Sequence, residues 1–198
     1  MQQKSTIIYL HGFLSSPQSQ KAQQTVGFIG QHYPDIRVVC PQIPSYPQQI
    51  EACLQSLIKQ YDDCLLGFIG SSLGGYLATW CAEQTQKSAV LINPAAYPYR
   101  LLADYLGEHT NPYTGELFEV TPDFNQALKK FEVKNTDLLK LWVLLETEDE
   151  TLDYKEAAQK FANNQLEVIK GGNHAFVHYA EYLPAIIQYL LKQHRNTK

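Results

Sequence analysis

Residues 68–80 read FIGSSLGGYLATW: an apolar run meets two serines set between glycines, then continues as an amphipathic run. A serine held up for chemistry on a tight strand-to-helix turn needs small neighbours two positions away on either side, because strand and helix approach closely there. Ser71 has Ile69 and Leu73 at those positions, both bulky. Ser72 has Gly70 and Gly74, which gives G-x-S-x-G, and Gly75 adds another place for a helix to press on a sheet. The pattern alone is common, so its context matters: a buried strand before it and a helix after it. A glycine-rich turn that merely joins the two elements is the plainer explanation. The rest of the chain has to decide.

Working outward, short apolar, β-branched runs alternate with helical patterns, which predicts an α/β fold built on a mostly parallel sheet. Strands are expected at 6–10, 36–40, 64–70, 88–93, about 139–145 and 166–170, about six in all, with helices on both faces. One helix is expected to start with Ser16 as its cap and Pro17 at its first position. Others follow Pro47 to about Tyr61, start near Leu73, and close the chain in EYLPAIIQYLLKQH, where Pro184 marks the start or a kink. Residues 94–135 break the rhythm. They hold Tyr97, Tyr99, Tyr105, Tyr113, Phe118, Phe124 and Phe131 without a clear strand, and read as a lid with some helix inserted after the fourth strand. The lid's aromatics suit either an apolar acyl pocket or a small core of their own. Arg100 is either a contact for an anionic substrate group or an exposed arginine. A single domain over 1–198 is expected.

The 198 residues carry a formal charge of −4, which argues against nucleic acid as a partner. The apolar run at 7–10 is too short for a signal-peptide core or a membrane span, so a cytoplasmic enzyme is expected. Cys40, Cys53, Cys64 and Cys81 show no C-x-x-C spacing and are expected to be buried, reduced thiols. No metal site is expected, and oligomeric state has no signature here.

A serine hydroxyl becomes a nucleophile only when a base takes its proton and a third group orients that base. On a strand–turn–helix nucleophile of this kind the order is Ser, then Asp or Glu, then His. Of six histidines, His174 in KGGNHAF lies in a loop just after the last expected strand and follows every candidate acid. Asp149 is the expected acid, with a shorter, stiffer side chain than its neighbours Glu148 and Glu150, which remain alternatives. Glu146 is close enough to the strand end to point away, and Asp153 has a local task as an N-cap, with Glu156 completing a capping box. An oxyanion needs backbone donors: the N–H of Leu73 after the serine, and the N–H of Phe13 in the loop after the first strand. His11 is expected to shape that loop by local hydrogen bonds.

Several stretches carry a family likeness: YLHGFLSSPQSQKA, PQIPSYP, GSSLGGYLATW, NPA, DYLGEHTNPYTGE and GGNHAF. Together, in order and over nearly the whole chain, they resemble the YqiA-like small bacterial esterases of the α/β-hydrolase superfamily. The resemblance implies a cofactor-free serine esterase acting on small-molecule acyl esters or thioesters, with Ser72, His174 and Asp149 as its triad. Where relatives typically read Gly-Asp-Glu, this chain has Glu148 before Asp149. The same triad could serve amide or carbon–carbon cleavage, and a catalytically silent hydrolase-fold binding protein is the alternative from another class.

Overall fold

The computed structural model describes residues 4–196. Its elements in chain order are β1 (Ser5–Leu10), α1 (Gln20–His32), β2 (Ile36–Val39), α2 (Pro47–Tyr61), β3 (Leu65–Ser71), α3 (Leu73–Thr85) and β4 (Ser88–Ile92). There follow α4 (Pro98–Leu101), β5 (Gly107–Thr110), β6 (Leu117–Val120), α5 (Pro122–Lys129), β7 (Leu141–Glu146), α6 (Tyr154–Lys160), β8 (Gln165–Ile169) and α7 (Tyr179–Arg195). The main sheet has six strands in the order β2-β1-β3-β4-β7-β8, and every pair is parallel.

Strand periodicity sorts the core into two layers. Ile8, Leu10, Phe68, Ala89, Leu91, Val143 and Leu145 face α2, α3, α5 and α6. Ile7, Tyr9, Ile69, Val90, Ile92 and Leu144 face α1 and α7. Both faces of β3, β4 and β7 are covered, so these strands read as continuous apolar runs. Because all six strands run the same way, their carboxyl ends share one edge, where open α/β sheets bind ligands.

Three expectations need correction. Helix α1 starts at Gln20, not Pro17: the Gln18 N–H donates to Ser16 Oγ and the Ser19 N–H to the Ser16 carbonyl, so residues 16–19 close a turn first and Ser19 becomes the cap position. The lid holds a strand pair that was not expected, an antiparallel ribbon of β5 and β6, beside α4, α5 and a short 3-10 turn at Leu102–Tyr105. Of the four cysteines Cys81 is buried, whereas Cys40, Cys53 and Cys64 are half-buried. Pro184, expected near the start of the closing helix or at a kink, lies inside α7 in its N-terminal half.

Candidate active site

Ser72 stands between the end of β3 and the first residue of α3, with φ 56° and ψ −122°, a left-handed conformation uncommon for a side chain larger than glycine. The turn works because nothing crowds it. A Cβ on Gly74 would lie 2.0 Å from the Leu10 carbonyl oxygen, and one on Gly70 2.2 Å from the Gly74 carbonyl. The Ser72 carbonyl accepts from the N–H groups of Gly75, Tyr76 and Ala95, which pins the turn to α3 and to the loop after β4. Ser71 is buried, with its hydroxyl bonded to Tyr9.

The Ser72 hydroxyl lies 3.1 Å from Nε2 of His174. Nδ1 of the same ring is 2.8 Å and 3.0 Å from the two carboxylate oxygens of Asp149, whose side chain is only 2% exposed. A carboxylate can only accept, so Nδ1 carries the proton and Nε2 presents a lone pair to the serine. Asp149 is itself fixed by the N–H groups of Thr151 and Leu152, both donating to Oδ1. Glu148 is exposed, has no left-handed backbone, and bonds the Gly171 carbonyl through its N–H, so this loop does not need a glycine there. Glu150 accepts the His174 N–H, a bond that holds its exposed carboxyl below the ordinary range. Asp153 caps α6 by accepting the Lys155 N–H.

Glu146 does not point away. It is fully buried beneath the loop that carries His174, where Oε2 accepts the N–H groups of Asn173 (2.8 Å) and Val177 (3.1 Å). Its Oε1 accepts Nδ1 of His178 at 2.6 Å and the His178 N–H at 3.3 Å. Gly172, at φ 79°, packs on this carboxylate so closely that a Cβ would overlap it. Asn93 joins the frame: its Oδ1 accepts the Glu146 N–H, and its Nδ2 donates to the carbonyls of Asn173 and His174. The sequence reading missed both residues. The one available signal was a carboxylate ending the apolar run LWVLLE.

The N–H groups of Phe13 and Leu73 have no acceptor among the described residues. Leu73 opens the thirteen-residue α3, so its N–H sits at the positive end of a helix. Phe13 lies in the turn after β1, and His11 braces that turn. His11 is buried; its Nδ1 faces the Gly12 carbonyl at 3.0 Å, while Nε2 accepts the Ile43 N–H at 3.1 Å. This pattern suits the neutral ring, and burial holds its pKa below the ordinary histidine value. Since C=O and N–H of a trans peptide point oppositely, fixing the Gly12 carbonyl also aims the Phe13 N–H.

Two recesses meet at Ser72 and His174. One, of about 230 Å³, is walled by Ala95, Pro98, Leu101, Leu102, Tyr105 and Leu152. The other, of about 310 Å³, is mixed and the more polar of the two, with Ser15, Ser19, Lys21 and Tyr113 beside Phe13 and Leu14. Among the lid aromatics Tyr105 and Tyr113 reach these recesses, whereas Phe118, Phe124 and Phe131 are buried as core. The Phe13 ring packs edge-on against Tyr105, Phe118 and Phe124, tying the lid to the loop after β1. Arg100 lines neither recess; its guanidinium lies over Tyr97 at 4.1 Å. Among the described residues no cluster of three or more His, Cys, Asp or Glu is arranged to hold a metal, and no helix is long and apolar enough to cross a membrane.

Comparison with known proteins places this architecture. A family model described as "Uncharacterised protein family (UPF0227)" matches residues 6–191. Among solved structures, Est1E from Butyrivibrio proteoclasticus is similar with a TM-score of 0.74 at 14% identity, over 96% of this chain and 88% of Est1E. Alpha/beta hydrolase domain-containing protein 10 from mouse matches with a TM-score of 0.69 at 17% identity, over 97% and 92% of the two chains. The esterase domain of a Rhodothermus marinus protein matches with a TM-score of 0.67 at 17% identity, over 96% and 87%. At these identities the likeness is one of fold: the α/β-hydrolase fold.

Proposed function

We propose that this chain, which belongs to the uncharacterised protein family UPF0227, is a serine hydrolase of carboxylic esters or thioesters. The observation that carries the reading is the line from Asp149 through His174 to Ser72, with Nδ1 against a buried carboxylate and Nε2 3.1 Å from a hydroxyl on a left-handed turn. That is the arrangement an activated nucleophile requires. Structural neighbours support the substrate class: Est1E has been solved with ferulic acid bound, and others are esterases or lipolytic enzymes.

In this reading Ser72 Oγ attacks the acyl carbon while its proton passes to His174 Nε2. The carbonyl π electrons move to oxygen, where the N–H groups of Phe13 and Leu73 receive the charge. The imidazolium returns its proton to the departing alcohol or thiol oxygen or sulfur, leaving Ser72 acylated. Water then attacks the acyl carbon, with His174 taking and returning one proton, and releases the acid and free serine. Asp149 holds the ring tautomer and stabilises the imidazolium. Residues 94–135 form the lid, whose apolar wall receives a short acyl chain.

The test is a fluorophosphonate probe with mass-spectrometric mapping, beside hydrolysis of 4-nitrophenyl butyrate. Labelling is expected at Ser72, absent in Ser72→Ala and much reduced in His174→Ala. Folded protein that takes no label and turns over no ester overturns the proposal in favour of a binding protein. Label on Ser71 would overturn the assignment of the nucleophile.

A further inference from the structure

We infer that the substrate is bipolar, an ester or thioester with an apolar part in the recess under the lid and an anionic group, carboxylate or phosphate, in the recess beside Lys21. The inference rests on the esterase reading above and deepens it. Its basis is the contrast between two recesses that share Ser72 and His174. The apolar one carries no charged side chain apart from His174 itself. The polar one has a lysine and no carboxylate in its wall, in a chain whose net charge is −4.

Lys21 is half-buried, and its ammonium bonds a single acceptor, the Ala175 carbonyl at 2.8 Å. Among the described residues no carboxylate pairs with it. An ammonium has three donors, so two remain for a ligand. Around it, the hydroxyls of Ser15, Ser19 and Tyr113 have no hydrogen-bond partner among the described residues. Hydroxyls can donate to an anion, and a cation without a counter-ion selects one. Partial burial pulls the lysine below its ordinary range, with the more distant charges of Glu146 and Asp149 opposing this; a bound anion would repair the lost solvation.

Tyr113 is placed there by the motif NPYTGE, which plays no part in the triad. Asn111 is buried, accepts the N–H groups of Tyr113 and Thr114 on Oδ1, and donates from Nδ2 to the Ser15 carbonyl. The ribbon tip is thereby bolted to the loop after β1, and its tyrosine is held at the mouth of the polar recess.

The experiment compares kcat/KM for 4-nitrophenyl butyrate, 3-carboxy-4-nitrophenyl butyrate and mono-4-nitrophenyl glutarate, each divided by its spontaneous hydrolysis rate. The second places the anion on the leaving group, the third on the acyl group. One of the two charged esters is expected to exceed the neutral one by about tenfold, as for one charge-assisted hydrogen bond. Lys21→Gln should abolish that ratio and Lys21→Arg should keep most of it. A flat or inverted ratio in the wild type, or one that survives Lys21→Gln, overturns the anion subsite while labelling of Ser72 leaves the esterase reading standing. No turnover of any ester and no labelling of Ser72 would remove both.

Discussion

Glu146→Gln is the perturbation that separates holding the histidine loop from merely filling space beneath it. The carboxylate accepts four hydrogen bonds, two on each oxygen, from Asn173, Val177 and His178. A glutamine amide keeps one oxygen and turns the other into a donor that faces two donors. Two N–H groups aimed at the buried position then lack acceptors, at up to about 1–3 kcal/mol each, or about 2–6 kcal/mol together. For a chain of this size that corresponds to a fall in Tm of about 4–24 °C. The loop can relieve the conflict only by moving, and His174 directly follows Asn173. A displacement of about 1 Å at a catalytic group costs on the order of 10²-fold in rate. Stopped-assay kinetics with 4-nitrophenyl butyrate well below the measured Tm should therefore show kcat down about 10²-fold while KM changes by less than about threefold. A thermal melt reads the stability term separately. A variant that melts early yet keeps wild-type kcat when folded would refute the positioning role and leave Glu146 a structural residue only.

Other consequences are equally specific. Asp149→Asn should keep the bonds from Thr151 and Leu152 on Oδ1 while offering His174 a donor, which reverses the ring tautomer and points a proton at Ser72; kcat is expected to drop roughly 10³–10⁴-fold at nearly unchanged Tm. Gly74→Ala would force a Cβ to within 2.0 Å of the Leu10 carbonyl, so soluble yield or Tm should collapse, and a wild-type melt would mean that β1 and α3 are farther apart than described. Lys160 donates to the Ala96 carbonyl beneath the rings of Tyr76 and Tyr97, and burial pulls its pKa down from 10.5 to about 8. Its charge is disfavoured in the fold, so between about pH 8 and 10.5 the unfolded chain holds the extra proton and stability rises with pH there. The thiols of buried Cys81 and half-buried Cys40 and Cys53, pushed upward by desolvation, act oppositely above their ordinary pKa, so the wild-type melt should be compared with that of Lys160→Met; a difference that stays constant across the window would contradict the shift.

What could be read from the sequence was what local chemistry dictates. The spacing of Gly70, Ser72 and Gly74 fixes the turn, because the close approach that excludes a Cβ is a property of residues next to each other in the chain. Helix α2 starts and stops where Pro47 and Tyr61 suggested. The ribbon escaped notice because β5 and β6 have four residues each, and the alternation of exposed Leu117 and Glu119 with buried Phe118 and Val120 is too short to stand out among lid aromatics. Ser16 looked like a cap, yet its hydroxyl is spent on a turn that ends before the helix. The Lys21 recess was illegible for a different reason: its wall joins residues from three separate loops and a helix start.

The acidic stretch after β7 illustrates the limit best. Five carboxylates lie between residues 146 and 153, and side-chain length favoured Asp149 among them without excluding its neighbours. Asp153 serves its own helix, but the tasks of Glu146, Asp149 and Glu150 are set by partners 24 to 32 positions away. Asp149 meets the imidazole of His174, Glu150 takes the N–H of that same residue, and Glu146 takes the N–H of the residue before it. Three negative groups thus hold one histidine by its ring, its own backbone and its neighbour's backbone. Such bracing does two things at once. It restricts the ring to the orientation that reaches Ser72, and in the proposed mechanism it surrounds with negative charge the place where an imidazolium would form, which would favour that ion as the proton arrives. Removing the exposed Glu150 should therefore be the mildest of the three losses and removing Asp149 the most severe in rate, whereas Glu146 should rank first in stability because it is fully buried and serves the most donors. Finding the three effects equal in both rate and Tm would mean that the loop is held elsewhere.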